Sequence, residues 1–450
     1  MMKKTKQSPI KLTSIQTLLL GFILIIFCGA ELLTLPFACA NGSSQPFIDA
    51  LFNATSAITT TGLAVTDTGS FYSLFGQLVI LILFQVGGLG YMIFIVLAIL
   101  RSKNRLSAKV RMLLHESLNL PEGVEAKIFA KKVAVFTLLF EGIGAVLLTF
   151  YWLHYYPPLK AGYMGIFHSI SSFCTAGFGL FPDSLVSCRK SIFVNITVIV
   201  LSLGGAIGFF VLSDLLDFGK KIVLRKKTPR LSGHSKLALL ISTILIIIGT
   251  AIIFIAEGGA KLPISKNLLL DCAFQCISAS ATTGFNTLNI SAMAPASLWT
   301  IIILMFIGAS PGGTGGGIKT SSFGIIFFFL LHQLRGRDDV NIFKRKTPDQ
   351  TVHKVFTIGI IAVLWVAVST LILTFTEKSS FLELLFESVS AFGTVGLSMG
   401  ITSSLSAFGK IILSISMLIG RVGPLAIGLS LIGKTQTINF EYAQADILVG

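Results

Sequence analysis

The sequence predicts an all-α polytopic membrane protein, with four pseudo-symmetric repeats of span, short pore helix and span around one central pore. Three observations predict it. The 450 residues are 53% hydrophobic and only 12% charged, about half the charged fraction of a soluble domain. Uncharged stretches near the roughly 20 residues that cross a bilayer as helix recur along the whole chain. Between them, one short polar-apolar pattern returns four times.

The expected spans are 12–30, 71–100, 133–153, 191–213, 237–256, 298–318, 355–376 and 411–433. Glu141 alone interrupts the third and Arg421 alone the eighth. The net charge of +15 is unevenly placed. Lys3, Lys4, Lys6 and Lys11 crowd the N-terminal tail, and the other basic clusters lie at 101–132, 217–236 and 335–354. The intervening loops are nearly free of Lys and Arg. This alternation is the positive-inside pattern, and it puts both termini and the three basic loops in the cytoplasm of a multi-pass cell-membrane protein. A nucleic-acid binder would need a basic patch interleaved with aromatics, which is absent.

The recurring pattern reads FNATSAITTTGL (52–63), FHSISSFCTAGF (167–178), FQCISASATTGF (274–285) and FESVSAFGTVGL (386–397). Phe is followed at fixed spacing by Ser (56, 171, 278, 390), Thr (60, 175, 282, 394) and Gly (62, 177, 284, 396). The glycines lie 115, 107 and 112 residues apart, and a fixed pattern at a fixed period dictates architecture. The chain divides accordingly into a basic tail (1–11), repeat 1 (12–100), repeat 2 (128–216), repeat 3 (235–334), repeat 4 (350–433) and a C-terminal tail (434–450).

Each patterned segment is too short to cross a bilayer and ends in glycine, as a re-entrant element would. Irregular backbone at membrane depth is tolerated only when buried in protein or lining a watery path. Asp49, Asp271 and Glu383 stand three residues before the Phe in three repeats, where a carboxylate complements the positive end of a helix dipole. The negative ends would then face the axis and favour a cation. Glycine accepts backbone angles closed to other residues, so carbonyls of four loops could replace the hydration shell of a potassium ion. The candidate filter is Thr60, Thr61, Gly62, Thr175, Ala176, Gly177, Thr282, Thr283, Gly284, Thr394, Val395 and Gly396. As plain helix C-caps the glycines would leave the recurring Phe and Thr unexplained.

Each second span carries a glycine cluster: QVGGLG (85–90), LGGAIG (203–208), SPGGTGGG (310–317) and IGRVGP (419–424). Close helix packing by small residues suffices for the first two. The third belongs to GASPGGTGGGIKTSS (308–322), where six glycines and Pro311 cannot continue a helix. A phosphate-binding loop needs Gly-Lys-[Ser/Thr], but Ile318 separates Gly317 from Lys319, and the preceding run fills the place of a span. The loop is expected to break a pore-lining helix and lie across the pore. Arg421 is eleventh of the 23 residues between Lys410 and Lys434. A cation that deep costs about 2.5–3.5 kcal/mol on insertion scales and should face the protein interior, against loop carbonyls or a buried acid such as Glu141.

At the four glycines, the 308–317 interruption and Arg421, the chain resembles the Trk/Ktr/HKT superfamily of potassium transporters, most closely the ion-translocating membrane subunit of bacterial Ktr systems. The likeness spans about 12–433. It implies potassium uptake, often sodium-dependent, with K+ and Na+ as the ions concerned. It implies a filter at Gly62, Gly177, Gly284 and Gly396. It makes Gly312, Gly313, Thr314, Gly315, Gly316, Gly317 and Lys319 part of an intramembrane gating loop, with Arg421 beside it. It further implies a homodimer, surrounded by membrane lipids and docked on a cytosolic KtrA-type nucleotide-binding ring.

No G-x-G-x-x-G unit or organic-cofactor motif is present, so nucleotide sensing would fall to that partner. The runner-up is a sodium-coupled solute symporter with broken helices, but such folds show inverted repeats, whereas these four run the same way. His115, His154, His168, His234, His332 and His353 are scattered, mainly in loops and ends, and form no enzymatic constellation.

Overall fold

The computed structural model describes residues 14–90, 126–225, 230–259, 267–337 and 339–424. The two tails, most of the basic loop 101–132 and the far ends of the expected spans 71–100 and 411–433 lie outside the described residues.

Four helices are long and apolar enough to cross a membrane: α1 (Ser14–Thr34), α4 (Ala126–Trp152), α8 (Gly233–Phe254) and α12 (Asp349–Thr376). Only 22–33% of their apolar windows is buried in the protein, so most of each faces outward. Leu138 and Val146 on α4 are 72% and 70% exposed, as a lipid-facing surface requires.

Each long helix is followed by a shorter one: α2 (Phe47–Ile58), α5 (Pro158–Phe173), α9 (Leu268–Ser280) and α13 (Phe381–Gly393). These run 12–16 residues, roughly 18–24 Å at 1.5 Å per residue, and do not reach across the ~30 Å hydrocarbon layer. The first residues of the recurring pattern (Phe52, Phe167, Phe274 and Phe386) are all buried and anchor these helices.

A third helix completes each unit: α3 (Leu74–Leu89), α6 (Ile192–Ala206), α10 (Pro295–Ile307) and α14 (Ala407–Val422). Their starts are locally encoded. Ser73, Ser191 and Ser406 accept a backbone N–H as N-caps, and Pro295 opens α10. Their ends correct the expectation that the first two glycine clusters serve packing alone. α3 stops at Gly90 (φ 76°), and α6 breaks at Gly208 (φ 93°) before α7 (Phe209–Val223), bent by 101°. α10 stops at Gly308 (φ 72°) and α14 at Gly423 (φ 100°). After its break the chain resumes in α11 (Thr320–Gln333). The basic stretch 335–354 contains a two-residue hairpin, Asn341–Ile342 against Arg345–Lys346.

Apolar clusters join consecutive units. One joins Ile58 and Phe84 to Phe167 and Phe178, another Leu148 and Leu201 to Phe274 and Phe285. A third packs Leu298 and Met305 on Phe386 and Phe392, and a fourth returns from Leu384 and Met417 to Phe52 and Leu63. Units 1–2, 2–3, 3–4 and 4–1 are thus all in contact, closing the helices around an axis.

Candidate functional site

The short helices end at that axis. Thr60, Thr175, Thr282 and Thr394 follow them with φ of 53°, 51°, 55° and 49°. Two residues on, Gly62, Gly177, Gly284 and Gly396 have φ of 91°, 69°, 84° and 90°, while the residue between does not have positive φ. Alternating hands of backbone turn successive carbonyls toward one side of the strand. The glycines succeed one another around a closed cycle. A Cβ on Gly62 would stand 2.5 Å from the Ala176 carbonyl oxygen and 3.1 Å from the Gly177 Cα; one on Gly177, 2.6 Å from the Thr283 oxygen and 3.2 Å from the Gly284 Cα. One on Gly284 would strike the Val395 carbonyl, and one on Gly396 the Thr61 carbonyl, 2.9 Å from the Gly62 Cα. Neither the positive φ nor the close approach admits a side chain.

The recurring serine has a role that sequence reasoning left open. The Ser56, Ser171, Ser278 and Ser390 carbonyls each accept the N–H of the residue before the ring glycine at 2.8–2.9 Å. The Ser56 and Ser390 hydroxyls accept the N–H of Gly62 and Gly396 at 3.0 and 3.1 Å. The Ser171 and Ser278 hydroxyls instead donate to the carbonyls of Phe178 and Phe285 at 2.7 and 2.6 Å. All four strands are thereby fixed from behind.

One side of the ring opens to a cavity of about 340 Å³, lined by the four glycines with Asp67 and Thr402 among others. The other side is covered by the loop 308–317. Thr314 Oγ1 lies 3.0 Å from Thr175 Oγ1, and the Thr314 carbonyl lies 3.2 Å from Thr60 Oγ1. A Cβ on Gly315 would meet Thr282 Oγ1, and one on Gly316 would meet Thr394 Oγ1. The loop therefore touches all four threonines. It is held by the break after α6: Ser310 and Thr314 donate N–H to the Ala206 and Gly205 carbonyls at 3.0 and 3.1 Å, and Phe209 donates to Gly312 at 3.0 Å. Gly312 and Gly317 take φ of 71° and 82°, and Gly313 packs on the Gly205 and Ala206 carbonyls. Lys319 (φ 87°) donates from Nζ to the Gly315 carbonyl.

Arg421 joins these parts. Nη1 donates to the Thr314 carbonyl and, at 3.1 Å, to Thr60 Oγ1; Nη2 donates to the Gly87 carbonyl and, at 3.2 Å, to that of Gly88. Of the partners expected for it, the loop carbonyls are found. Glu141 is engaged elsewhere, accepting from Gln85 Nε2 at 3.0 Å and facing Cys174 Sγ at 3.6 Å. Two of the acids read as dipole complements carry ion pairs: Arg189 to Asp271 at 2.6 Å and Lys410 to Asp49 at 2.6 Å. Glu383 completes a capping box with Ser380. His168, one of the scattered histidines, is in fact buried in α5, with Nδ1 2.9 Å from the Met164 carbonyl and Nε2 accepting from the Leu180 N–H at 3.2 Å.

Outward-facing apolar helices enclosing a ring of backbone groups define a polytopic helical membrane protein. Residues 14–435 match the family model TrkH, described as a cation transport protein; the chain belongs to that family, which is one of transporters and not of enzymes. It is 36% identical over 445 residues to the Ktr system potassium uptake protein B of Bacillus subtilis, covering 98% of each. It is 34% identical over 452 residues to the potassium/sodium uptake protein NtpJ of Enterococcus hirae, again 98% of each. Its fold is similar to the crystal structure of the potassium transporter TrkH from Vibrio parahaemolyticus, with a TM-score of 0.71 at 21% identity, over 95% of this chain and 87% of that one.

Proposed function

We propose that this protein carries potassium into the cell through the four-glycine ring, and that the 308–317 loop with Arg421 gates the path. One observation carries the reading: Gly62, Gly177, Gly284 and Gly396 succeed one another around a closed cycle of backbone contacts. Carbonyls at Thr60, Thr61, Thr175, Ala176, Thr282, Thr283, Thr394 and Val395 would take over part of the hydration shell of a desolvating potassium ion. The short helices point their C-termini there, adding negative potential. The names of the curated relatives, which include potassium uptake and potassium/sodium uptake, support the choice of ion.

In this reading the units are four span–pore helix–span repeats within 12–100, 128–216, 235–334 and 350–433. The third helix of each begins the second span and reaches its glycine cluster beside the ring. Both termini lie in the cytoplasm, by the placement of Lys and Arg. The loop excludes ions by lying against the four threonines, and Arg421 fixes it while adding a positive charge to the path. Sodium dependence, a homodimer and a cytosolic nucleotide-binding ring complete the proposal. The basic loops supply a docking surface for that ring, though Arg101, Lys103 and Arg105 lie outside the described residues.

Cells lacking their own potassium uptake test it. Expression of this chain with such a partner should restore growth at low potassium. Failure to restore it, with the protein present in the membrane, would remove the reading.

A further inference from the structure

The 101° break after α6, which also holds the loop, turns α7 nearly at right angles to α6. The break lies beside the 308–317 loop, on the side of the ring opposite the cavity, since α6 runs from its N-cap at Ser191 to the loop. α7 changes along its length. Phe209, Val211 and Ser213 near the break are buried against the protein, while Leu216, Ile222 and Val223 toward its far end are 49%, 52% and 80% exposed beside Lys220 and Lys221. A helix with exposed apolar residues among lysines, turned across the bundle, suits the plane of the membrane interface.

Between α7 and the first turns of α4 lies an open cleft of about 260 Å³, lined by Ile128, Lys131, Lys132, Val135, Phe136, Ser213, Leu216, Asp217 and Lys220. Its polar groups are unevenly matched. Lys132 Nζ donates to Ser213 Oγ at 2.8 Å and pairs with Asp217 at 3.4 Å. Among the described residues Lys131 and Lys220 take part in no ion pair, so the cleft keeps a surplus of two positive charges. Directly beside them, Ile128, Val135 and Leu216 are 54%, 46% and 49% exposed, and this apolar wall continues along α4 into Leu138 and Leu139.

We infer that this cleft is a binding site for an anionic phospholipid, with the headgroup phosphate between Lys131 and Lys220 and an acyl chain along Ile128, Val135 and Leu138. The pairing of ammonium groups that have no ion pair among the described residues with exposed hydrocarbon selects this occupant. A free phosphate or an acidic protein surface would satisfy the lysines without using the adjoining apolar wall. A lipid satisfies both at once. Lys132 is a positioning residue here: held by Ser213 and Asp217, it ties α7 to α4 and keeps the cleft open. The proposal is independent of the ion the protein carries.

The test uses the full-length purified protein and a Lys131→Gln/Lys220→Gln variant, leaving Lys132 intact. Phosphatidylglycerol or phosphatidylcholine is titrated into detergent-solubilised protein, with bound lipid counted by native mass spectrometry and melting temperature followed in parallel. The wild type should retain phosphatidylglycerol and melt higher with it than with phosphatidylcholine. The double variant should bind phosphatidylglycerol roughly 25-fold more weakly, at about 1 kcal/mol per lysine near the surface. Its melting temperature in phosphatidylcholine should match the wild type, and Lys131→Arg/Lys220→Arg should keep the lipid. Equal phosphatidylglycerol binding by wild type and double variant overturns the proposal. So does equal stabilisation of the wild type by inorganic phosphate alone, or loss of a cytosolic partner from the double variant with lipid binding unchanged.

Discussion

Arg421 donates to the Thr314 carbonyl from the same guanidinium that holds Gly87 and Gly88. One residue thus clamps the capping loop of the third unit to the end of α3 in the first. If the loop closes the path, Arg421→Ala should raise potassium flux several-fold and lessen its dependence on a partner. Removal of 312–317 should do the same, and the two together should add little, because residues in one network are not additive. Arg421→Lys should resemble Arg421→Ala, since an ammonium cannot reproduce the planar fork. Flux into vesicles checks all four proteins; a folded deletion with unchanged or lower flux would refute the gate.

Gly62→Ser places a side chain on a backbone with φ 91° and drives it toward the Ala176 carbonyl. The left-handed conformation costs about 1–2 kcal/mol, and relief by moving ring carbonyls would change ion preference by about tenfold. The protein should still fold, with potassium discriminated less well from sodium. If single substitutions at all four glycines leave the preference unchanged, the ring is not the filter.

Ser56→Ala leaves the Gly62 N–H without its hydroxyl partner. The expected loss is about 1 kcal/mol, seen as a lower melting temperature together with weaker potassium preference. Lower stability with full preference would mean that the serine supports the fold but not the ring.

Asp271 is fully buried and takes its charge partner, Arg189, from the neighbouring unit. Arg189→Gln should lower stability by up to about 3 kcal/mol, less than for a fully buried pair because Arg189 is 41% exposed. Arg189→Gln with Asp271→Asn should recover much of the loss. Denaturation of the wild type, the two single variants and the double variant in detergent measures the coupling.

The sequence carried the ring legibly because each position of the pattern repeats one contact: Phe buried, Ser tying the strand, Thr turning it, Gly meeting the next glycine. The loop was legible for a simpler reason, since six glycines and a proline cannot stay helical. The end of α3 at Gly90 and the break at Gly208 were not. A glycine costs a helix only about 1 kcal/mol, and QVGGLG and LGGAIG sit in otherwise uninterrupted apolar runs. What parts α6 from α7 includes a distant contact, the Phe209 N–H on the Gly312 carbonyl, which no local pattern announces. Gln85 beside Glu141, Lys410 beside Asp49 and Arg189 beside Asp271 were hidden likewise, because each lies on another unit.

The central claim, a potassium path through the glycine ring, is tested most directly by ion flux into vesicles holding the purified protein. Potassium and sodium uptake would be measured separately for the wild type and for Gly62→Ser. Potassium should exceed sodium in the wild type, and the ratio should fall in the variant. Equal uptake of both ions by the wild type, or an identical ratio in both proteins, would contradict it.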